Sequence, residues 1–330
     1  MLPPKDRLKI CFAHAAYQLE ARFRVREMGI ESTEARTAGE IEQRIADADV
    51  AVVSGLWRNT LLDRAPRLRF IQAVGAGTDQ FDLQALKERG IRLASARGVN
   101  ARAVSEHAMA FILALTRKLP EARDNQSRHV WRGMISNIEE REDELGGKTL
   151  LIIGLGSIGS RLAALAKAFD LRVIGIKRDP STGGEAADSV HGMTELKALL
   201  PEADFVVLAC PLNKETEKII DREALSRMKR SAYLVNVARG GCVDEPAMVR
   251  ALQGRAIAGA AIDVTAEEPL PSASPLWNLG NALITPHTAG ETRKYEDGVL
   301  DILVDNLNRL WRGQSALRNE IGGDSPFRAH

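Results

Sequence analysis

The chain has 330 residues, 45% of them apolar and 27% charged, with a net charge of +1. That is length for two domains and a large core, in the composition of an ordinary globular enzyme. The near-neutral balance gives no electrostatic case for nucleic acid or an anionic membrane as a partner, and no apolar run reaches the roughly 18 residues needed to span a bilayer. Cys11, Cys210 and Cys242 are odd in number and form no CxxC, so no metal site is expected and reduced thiols in a cytoplasm are. The start, MLPPKDRLKICF, has no signal-peptide h-region.

Buried strands are expected at residues 8–13, 50–53, 68–74 and 91–94, with helices at 15–28 and 83–89. Alternating strand and helix argues for a parallel sheet. Trp57, just past the second of these strands, either walls a substrate pocket or packs plainly. After the third strand comes Val74-Gly75-Ala76-Gly77-Thr78-Asp79. Two glycines there can expose successive N–H groups as an anion nest, which makes Ala76 and Gly77 candidates for holding a carboxylate. The plainer alternative is a turn into the helix near Phe81. Residues 101–119 read as a long, mostly apolar helix stopped by Pro120 and crossing from the first domain into the second. His107 on it reads as a packing histidine. Residues 120–147 are charged and loop-rich, with Trp131 among them.

Residues 149–180, TLLIIGLGSIGSRLAALAKAFDLRVIGIKRDP, spell strand, glycine turn, helix and strand, the smallest unit that holds a dinucleotide. Gly154 permits the tight turn, Gly156 lets the backbone approach a pyrophosphate, and Gly159 lets the helix pack near the strand. Ser157 and Ile158 open that helix, whose free N–H groups and dipole suit phosphate. Where the second strand ends, an acidic residue commonly takes the ribose hydroxyls of NAD; here Lys177 and Arg178 stand instead. Two cations suit a 2′-phosphate, so NADP is expected as the preferred cofactor, with NAD as the alternative. Further strands are expected at 205–209, 232–237, 256–262 and 283–285, each ending in a loop with a polar or special residue. A long amphipathic helix at 291–311 returns to the first domain, and the tail 322–330 reads as frayed. The domains are therefore 1–100 plus 292–330, carrying the substrate, and 101–291, carrying the dinucleotide.

Three ionisable residues stand at strand ends beyond the glycine loop: Arg239, Glu268 and His287. Reducing a 2-keto acid needs a cation on the carboxylate or carbonyl and an acid for the new alkoxide. The planar fork of Arg239 suits the first task, and an imidazole such as His287 the second. Glu268 can hold the other ring nitrogen, setting the tautomer.

Taken together, VGAGTDQFDLQAL, NARAVSEHAMAFILAL, ELGGKTLLIIGLGSIG, CPLNKETEKIID, LVNVARGGCVDEPAMVRAL, GAAIDVTAEEPLP and TPHTAG resemble the D-isomer-specific 2-hydroxyacid dehydrogenases over roughly residues 70–310. That resemblance implies an α/β fold of two Rossmann-like, doubly wound parallel-sheet domains with an interdomain cleft. It implies Arg239 as the residue that polarises the keto acid, His287 as acid/base and Glu268 as its partner, with the substrate carboxylate on the N–H groups of Ala76 and Gly77. Cofactor contacts would come from Gly156, Ser157, Ile158, Cys210, Pro211, Val237, Ala238, Asp263 and Gly290. A homodimer is implied, with 119–147 resembling the dimer arm and Trp131 a counterpart of a tryptophan that enters the partner's site in some glyoxylate-reducing relatives. Glyoxylate, hydroxypyruvate or a bulkier keto acid would be the substrate. Two alternatives stand beside this reading: a dehydrogenase of a phosphorylated substrate, and a non-catalytic dinucleotide-sensing protein like the corepressors of the superfamily.

Overall fold

The computed structural model describes residues 2–78 and 80–322. Asp79 of the nest loop and the tail from 323 lie outside the described residues. The chain forms two compact units, one of residues up to Asn100 together with those from Thr292 onward, the other of Ala101–Glu291.

In the first unit five strands run parallel: β1 (Lys9–Ala13), β2 (Glu31–Ala35), β3 (Val50–Val53), β4 (Phe70–Ala73) and β5 (Arg92–Ala94). Their order is 2-1-3-4-5, one of the two common doubly wound orders. The short strand Glu320–Ile321 adds an antiparallel edge beside β5. Helices α1 (Leu19–Arg24), α2 (Ala38–Arg44) and α3 (Leu83–Glu88) connect the strands, and the helix Tyr295–Trp311 packs its apolar face on the same sheet. That last helix starts four residues later than expected. Strand β2 was not expected: ESTEA lies at an edge, half solvated, and lacks the apolar run of the central strands.

The second unit carries seven parallel strands: β6 (Thr149–Ile153), β7 (Arg172–Ile176), β8 (Ser189–His191), β9 (Phe205–Leu208), β10 (Tyr233–Asn236), β11 (Gly259–Ile262) and β12 (Ala282–Ile284). Their order, 12-11-10-9-6-7-8, reverses direction between β6 and β9. That reversal is the dinucleotide-binding arrangement, with ligands expected beyond the carboxyl ends of those two strands. Both faces of the sheet are covered, so β6, β9 and β11 are buried at every position. Edge strand β8 went unread for the same reason as β2.

Helix α4 (Ala101–Thr116) ends three residues before the expected stop. Lys118 takes a left-handed φ of 50° and breaks the helix, and Pro120 sits in the first turn of a new helix, α5 (Leu119–Ser127), where its missing N–H costs nothing. The segment expected to be loop from 120 therefore begins as helix. Helix α4 is also buried along one face rather than all round. Val104, Ala108, Phe111 and Ile112 pack with Leu162, Ala163 and Ala166 of α6 (Ser157–Lys167). Helices α7 (Leu196–Leu199), α8 (Arg222–Arg227) and α9 (Glu245–Gln253) complete this unit. Among the described residues no helix is long and apolar enough to cross a membrane.

Candidate active site

Strand β6 enters the glycine turn at the point where the sheet order reverses. Gly154 has φ +103°, and a Cβ there would lie 2.8 Å from the backbone of Ala209 and Cys210 at the end of β9. A Cβ on Gly159 would come within 2.0 Å of the Gly154 carbonyl, so α6 can press onto the turn only because that position is glycine. Gly156 differs: a Cβ there would meet nothing within 4 Å. It is the N-cap of α6 and offers no side-chain cap, and the N–H groups of Ser157, Ile158 and Gly159 have no acceptor among the described residues. Free donors at a positive helix end, beside an open space, fit a pyrophosphate.

At the end of β7 the two expected cations are engaged close to home. The Lys177 ammonium binds the carbonyl and hydroxyl of Thr182, and Arg178 pairs with Glu215 at 3.3 Å. Asp179 accepts from Ser181. Cys210 is buried against Cys242, and that contact together with burial pushes its thiol up, while Pro211 is exposed. Val237 and Ala238 lie buried beyond β10 in a turn that Asn236 clamps: its amide donates to the Arg239 carbonyl and its oxygen accepts from the Ala238 N–H, both at 3.0 Å. The clamp holds Arg239 extended and half-buried, with Nη1 donating to the Ala238 carbonyl at 2.7 Å. It makes no ion pair with any described carboxylate.

The structure joins Glu268 to His287. Nδ1 of the imidazole lies 2.7 Å from Glu268 Oε2, and Glu268 Oε1 accepts from the Thr265 N–H at 3.1 Å. A carboxylate can only accept, so Nδ1 carries the proton and Nε2 is left for other work. Nε2 has no partner among the described residues. The Arg239 loop closes on the same region: a Cβ on Gly240 would fall 1.9 Å from the Thr265 carbonyl oxygen. Glycine at 240 thus allows the backbone after Arg239 to touch the loop that carries Glu268.

Asp263, 3% exposed, organises the loop bearing His287. Its Oδ1 accepts the Thr285 hydroxyl at 2.5 Å and the Thr288 N–H at 2.9 Å, and both oxygens receive the Ala289 N–H. The His287 N–H turns back to the carbonyls of Asp263 and Thr285, at 2.8 and 3.0 Å. His287 pays with φ +56°, an uncommon angle for a residue with a Cβ. Gly290 follows directly on this strapped turn. His107 enters here too. Its Nε2 lies 3.1 Å from the Thr285 hydroxyl and 3.9 Å from Asp263, while its ring meets Phe111 edge-on. Burial lowers its pKa and Asp263 opposes that. Read from sequence as a packing residue, His107 does pack on Phe111 and is also the end of a polar chain that reaches the His287 loop. Thr285 went unnoticed altogether. The partners are 178 residues apart, and no local pattern links them.

In the first unit the N–H groups of Gly75, Ala76 and Gly77 find no acceptor among the described residues, as a nest requires. Trp57 is a correction. It is 1% exposed, packs on Phe81 at 5.5 Å and spends its indole N–H on Asn59. A side chain so fully used by the core has no face left for a substrate. Among the described residues no three metal-ligating side chains gather.

A Rossmann unit with an open glycine turn at the reversal of its strand order, and an imidazole–carboxylate pair beyond its strand ends, puts the chain in the class of dinucleotide-binding α/β proteins. Residues 109–289 match the family model of the D-isomer specific 2-hydroxyacid dehydrogenase NAD binding domain, and the chain belongs to that family. It is 37% identical to the D-3-phosphoglycerate dehydrogenase of Methanocaldococcus jannaschii over 285 residues, 85% of this chain and 53% of that protein. To the glyoxylate reductase of Thermofilum pendens it is 35% identical over 254 residues, 77% of this chain and 75% of that one. The crystal structure of the NADPH-dependent glyoxylate/hydroxypyruvate reductase of Sinorhizobium meliloti superposes with a TM-score of 0.81 at 28% identity, covering 98% of this chain and 100% of that one. The chain spans about half the length of the phosphoglycerate dehydrogenase it matches.

Proposed function

We propose that the chain reduces a small 2-keto acid to the D-2-hydroxy acid at the expense of NADPH or NADH, with glyoxylate or hydroxypyruvate as the favoured substrate class. The observation that carries this is the His287–Glu268 contact at 2.7 Å, which leaves Nε2 of the imidazole free to take up a second proton and donate it. The loop at Gly75–Gly77 takes the substrate carboxylate through its N–H groups. The Arg239 fork, free of carboxylate partners, draws electron density from the carbonyl. Reduced nicotinamide, when bound, supplies the hydride. Glu268 keeps the ring in place and stabilises the His287 imidazolium, whose Nε2 gives its proton to the developing alkoxide and leaves a neutral ring with its proton on Nδ1. The N–H groups of Ser157, Ile158 and Gly159 hold the pyrophosphate. Asp263 Oδ2, which accepts only the Ala289 N–H, keeps a lone pair for the carboxamide.

Lys177 and Arg178 favour NADPH. Each is a cation on a long side chain whose present partners, Thr182 and Glu215, a 2′-phosphate can replace. The named activity of the Sinorhizobium relative points the same way. Phosphoglycerate-type activity is the second reading, favoured by the Methanocaldococcus relative. Arg58, the cation such a substrate would call on, already donates to the carbonyls of Gly55 and Trp57 at 2.8 and 2.7 Å. A dinucleotide-sensing role without turnover leaves the built His287–Glu268 pair unexplained. We also place the enzyme in a cytoplasm, where its three free, buried cysteines stay reduced, and as a homodimer. Val130, Trp131, Met134 and Ile138 are large apolar side chains left exposed on the 119–147 segment, Trp131 and Met134 at 98% and 97%, and a second copy would cover them.

One experiment tests the reading: glyoxylate, hydroxypyruvate and phosphohydroxypyruvate, each assayed by nicotinamide absorbance with NADPH and NADH separately. The highest kcat/KM should fall on an unphosphorylated acid with NADPH. A preference for NADH would remove the assignment of Lys177 and Arg178, and no turnover with any of the acids would remove the reductase.

A further inference from the structure

The Gly75–Gly77 loop is held from behind by a side chain that no sequence motif singles out. We infer that Tyr295 is a positioning residue for carboxylate recognition: its hydroxyl pins the Val74 carbonyl, and the pinned peptide aims the free N–H groups of the loop outward. This rests on the reading of that loop as the carboxylate site.

Tyr295 is the first residue of the helix Tyr295–Trp311 and is buried. Its hydroxyl donates to the Val74 carbonyl at 2.7 Å, across 221 residues of sequence. The next carbonyl, that of Gly75, accepts from the Ala96 N–H at 3.0 Å. In a trans peptide the C=O and the following N–H point in opposite directions. Fixing the Val74 carbonyl on Tyr295 and the Gly75 carbonyl on Ala96 therefore turns the Gly75 N–H away from Tyr295 and the Ala76 N–H away from Ala96. Those two groups, with that of Gly77, have no acceptor among the described residues. A loop of three small residues has no side chain of its own to hold that orientation, so it must be imposed from outside.

The pin is itself firmly seated. The Tyr295 ring leans on Tyr17 with centroids 5.6 Å apart, and Tyr17 stands edge-on to the fully buried His14. One turn into the helix, a Cβ on Gly298 would come within 2.7 Å of Val99, so the helix start sits close against the segment that follows β5. Burial raises the Tyr295 phenol well above its ordinary range, so it remains a donor at any working pH.

Tyr295→Phe keeps the ring and removes only the hydroxyl. With the full chain and saturating nicotinamide cofactor, its KM for the 2-keto acid should rise about ten-fold. That is a partial loss of the hydrogen bonds to a charged group. The kcat should stay within about three-fold of wild type, and the KM for cofactor should not change. Methylglyoxal, a neutral dicarbonyl without a carboxylate, should show the same KM with both proteins. A merely structural role for Tyr295 would move all of these constants together. Tyr17→Ala, which leaves the hydroxyl but removes the ring beneath it, should raise the same KM by a smaller factor and stands in if the Phe variant does not fold. An unchanged keto-acid KM in the folded variants, or equal losses with methylglyoxal, would overturn the role of Tyr295. If wild type itself shows no preference for the acid over methylglyoxal, the carboxylate reading of the loop fails instead, and the role of Tyr295 fails with it.

Discussion

Adding one methyl group at Gly240 should disable the site while leaving the dinucleotide unit standing. A Cβ there would lie 1.9 Å from the carbonyl oxygen of Thr265, 2.1 Å from its carbon and 2.5 Å from the Ala266 nitrogen. All three are backbone atoms, so no side chain can rotate out of the way, and the two loops must part by roughly 1 Å in a close-packed interior. One loop follows directly on Arg239. The other ends in Glu268, which is tied to it through the Thr265 N–H at 3.1 Å and carries His287 on its second oxygen. A displacement of that size in a catalytic group costs about 10²-fold, or about 2.7 kcal/mol of barrier. Overpacking should cost a further 1–3 kcal/mol or so of stability. The assay is kcat/KM for the preferred keto acid, with melting temperature and dinucleotide affinity measured alongside. Gly241→Ala is the control. There the Cβ meets only the end of the flexible Leu212 side chain, at 3.0 Å, and activity should stay within about three-fold. A Gly240→Ala enzyme as active as the control would show that the contact of these loops does not set the geometry of the site.

The glycine turn makes a paired prediction. Gly156→Ala, with open space around the new methyl, should leave the melting temperature unchanged and weaken dinucleotide binding at least about ten-fold, whereas Gly159→Ala, 2.0 Å from the Gly154 carbonyl, should lower the melting temperature; calorimetry and titration of each variant decide it. His287→Ala should lower kcat by about 10²–10⁴ with cofactor KM unchanged, and near-normal turnover would remove it from the mechanism. Stability should fall as pH drops below neutrality. His14 is fully buried, neither ring nitrogen has a hydrogen-bond partner among the described residues, and burial lowers its pKa, with Glu34 at 3.5 Å opposing. The folded state thus resists a proton that the unfolded chain accepts below about pH 6.5, so stability is full above that pH and is lost as pH falls toward the depressed value. His107 adds to the slope for the same reason. Urea unfolding at pH 7.5 and 5.5 should show the loss, and His14→Gln should flatten it; an unaltered slope would absolve His14.

What could be read along the chain was whatever is encoded locally. The central strands are continuous apolar runs because both faces of a parallel sheet are covered, and so β1, β3, β6 and β9 are visible in sequence. Edge strands β2 and β8 are half solvated and bond on one side, so ESTEA and SVH carry no such signal. The glycine turn is legible because its spacing is set by backbone geometry within six residues. Pro120 misled because proline both ends helices and begins them, and the left-handed turn at Lys118 decides which. Trp57 had two readings of equal standing, and burial selects the core.

Residue types at strand ends are a matter of sequence alone, and Arg239, Glu268 and His287 stood as candidates on that ground and on the family resemblance. Tertiary structure decided everything that depends on distance. It brought Glu268 against His287, closed the Arg239 loop on Thr265 through a missing side chain at Gly240, and strapped the His287 turn to Asp263 with Thr285 and His107 behind it. It also set Tyr295 under the Val74 carbonyl. Each of these is a short-range contact between residues 19 to 221 positions apart. Hydrogen bonds and steric fit act over a few ångströms, so only the folded chain can say which distant residues fall within their reach.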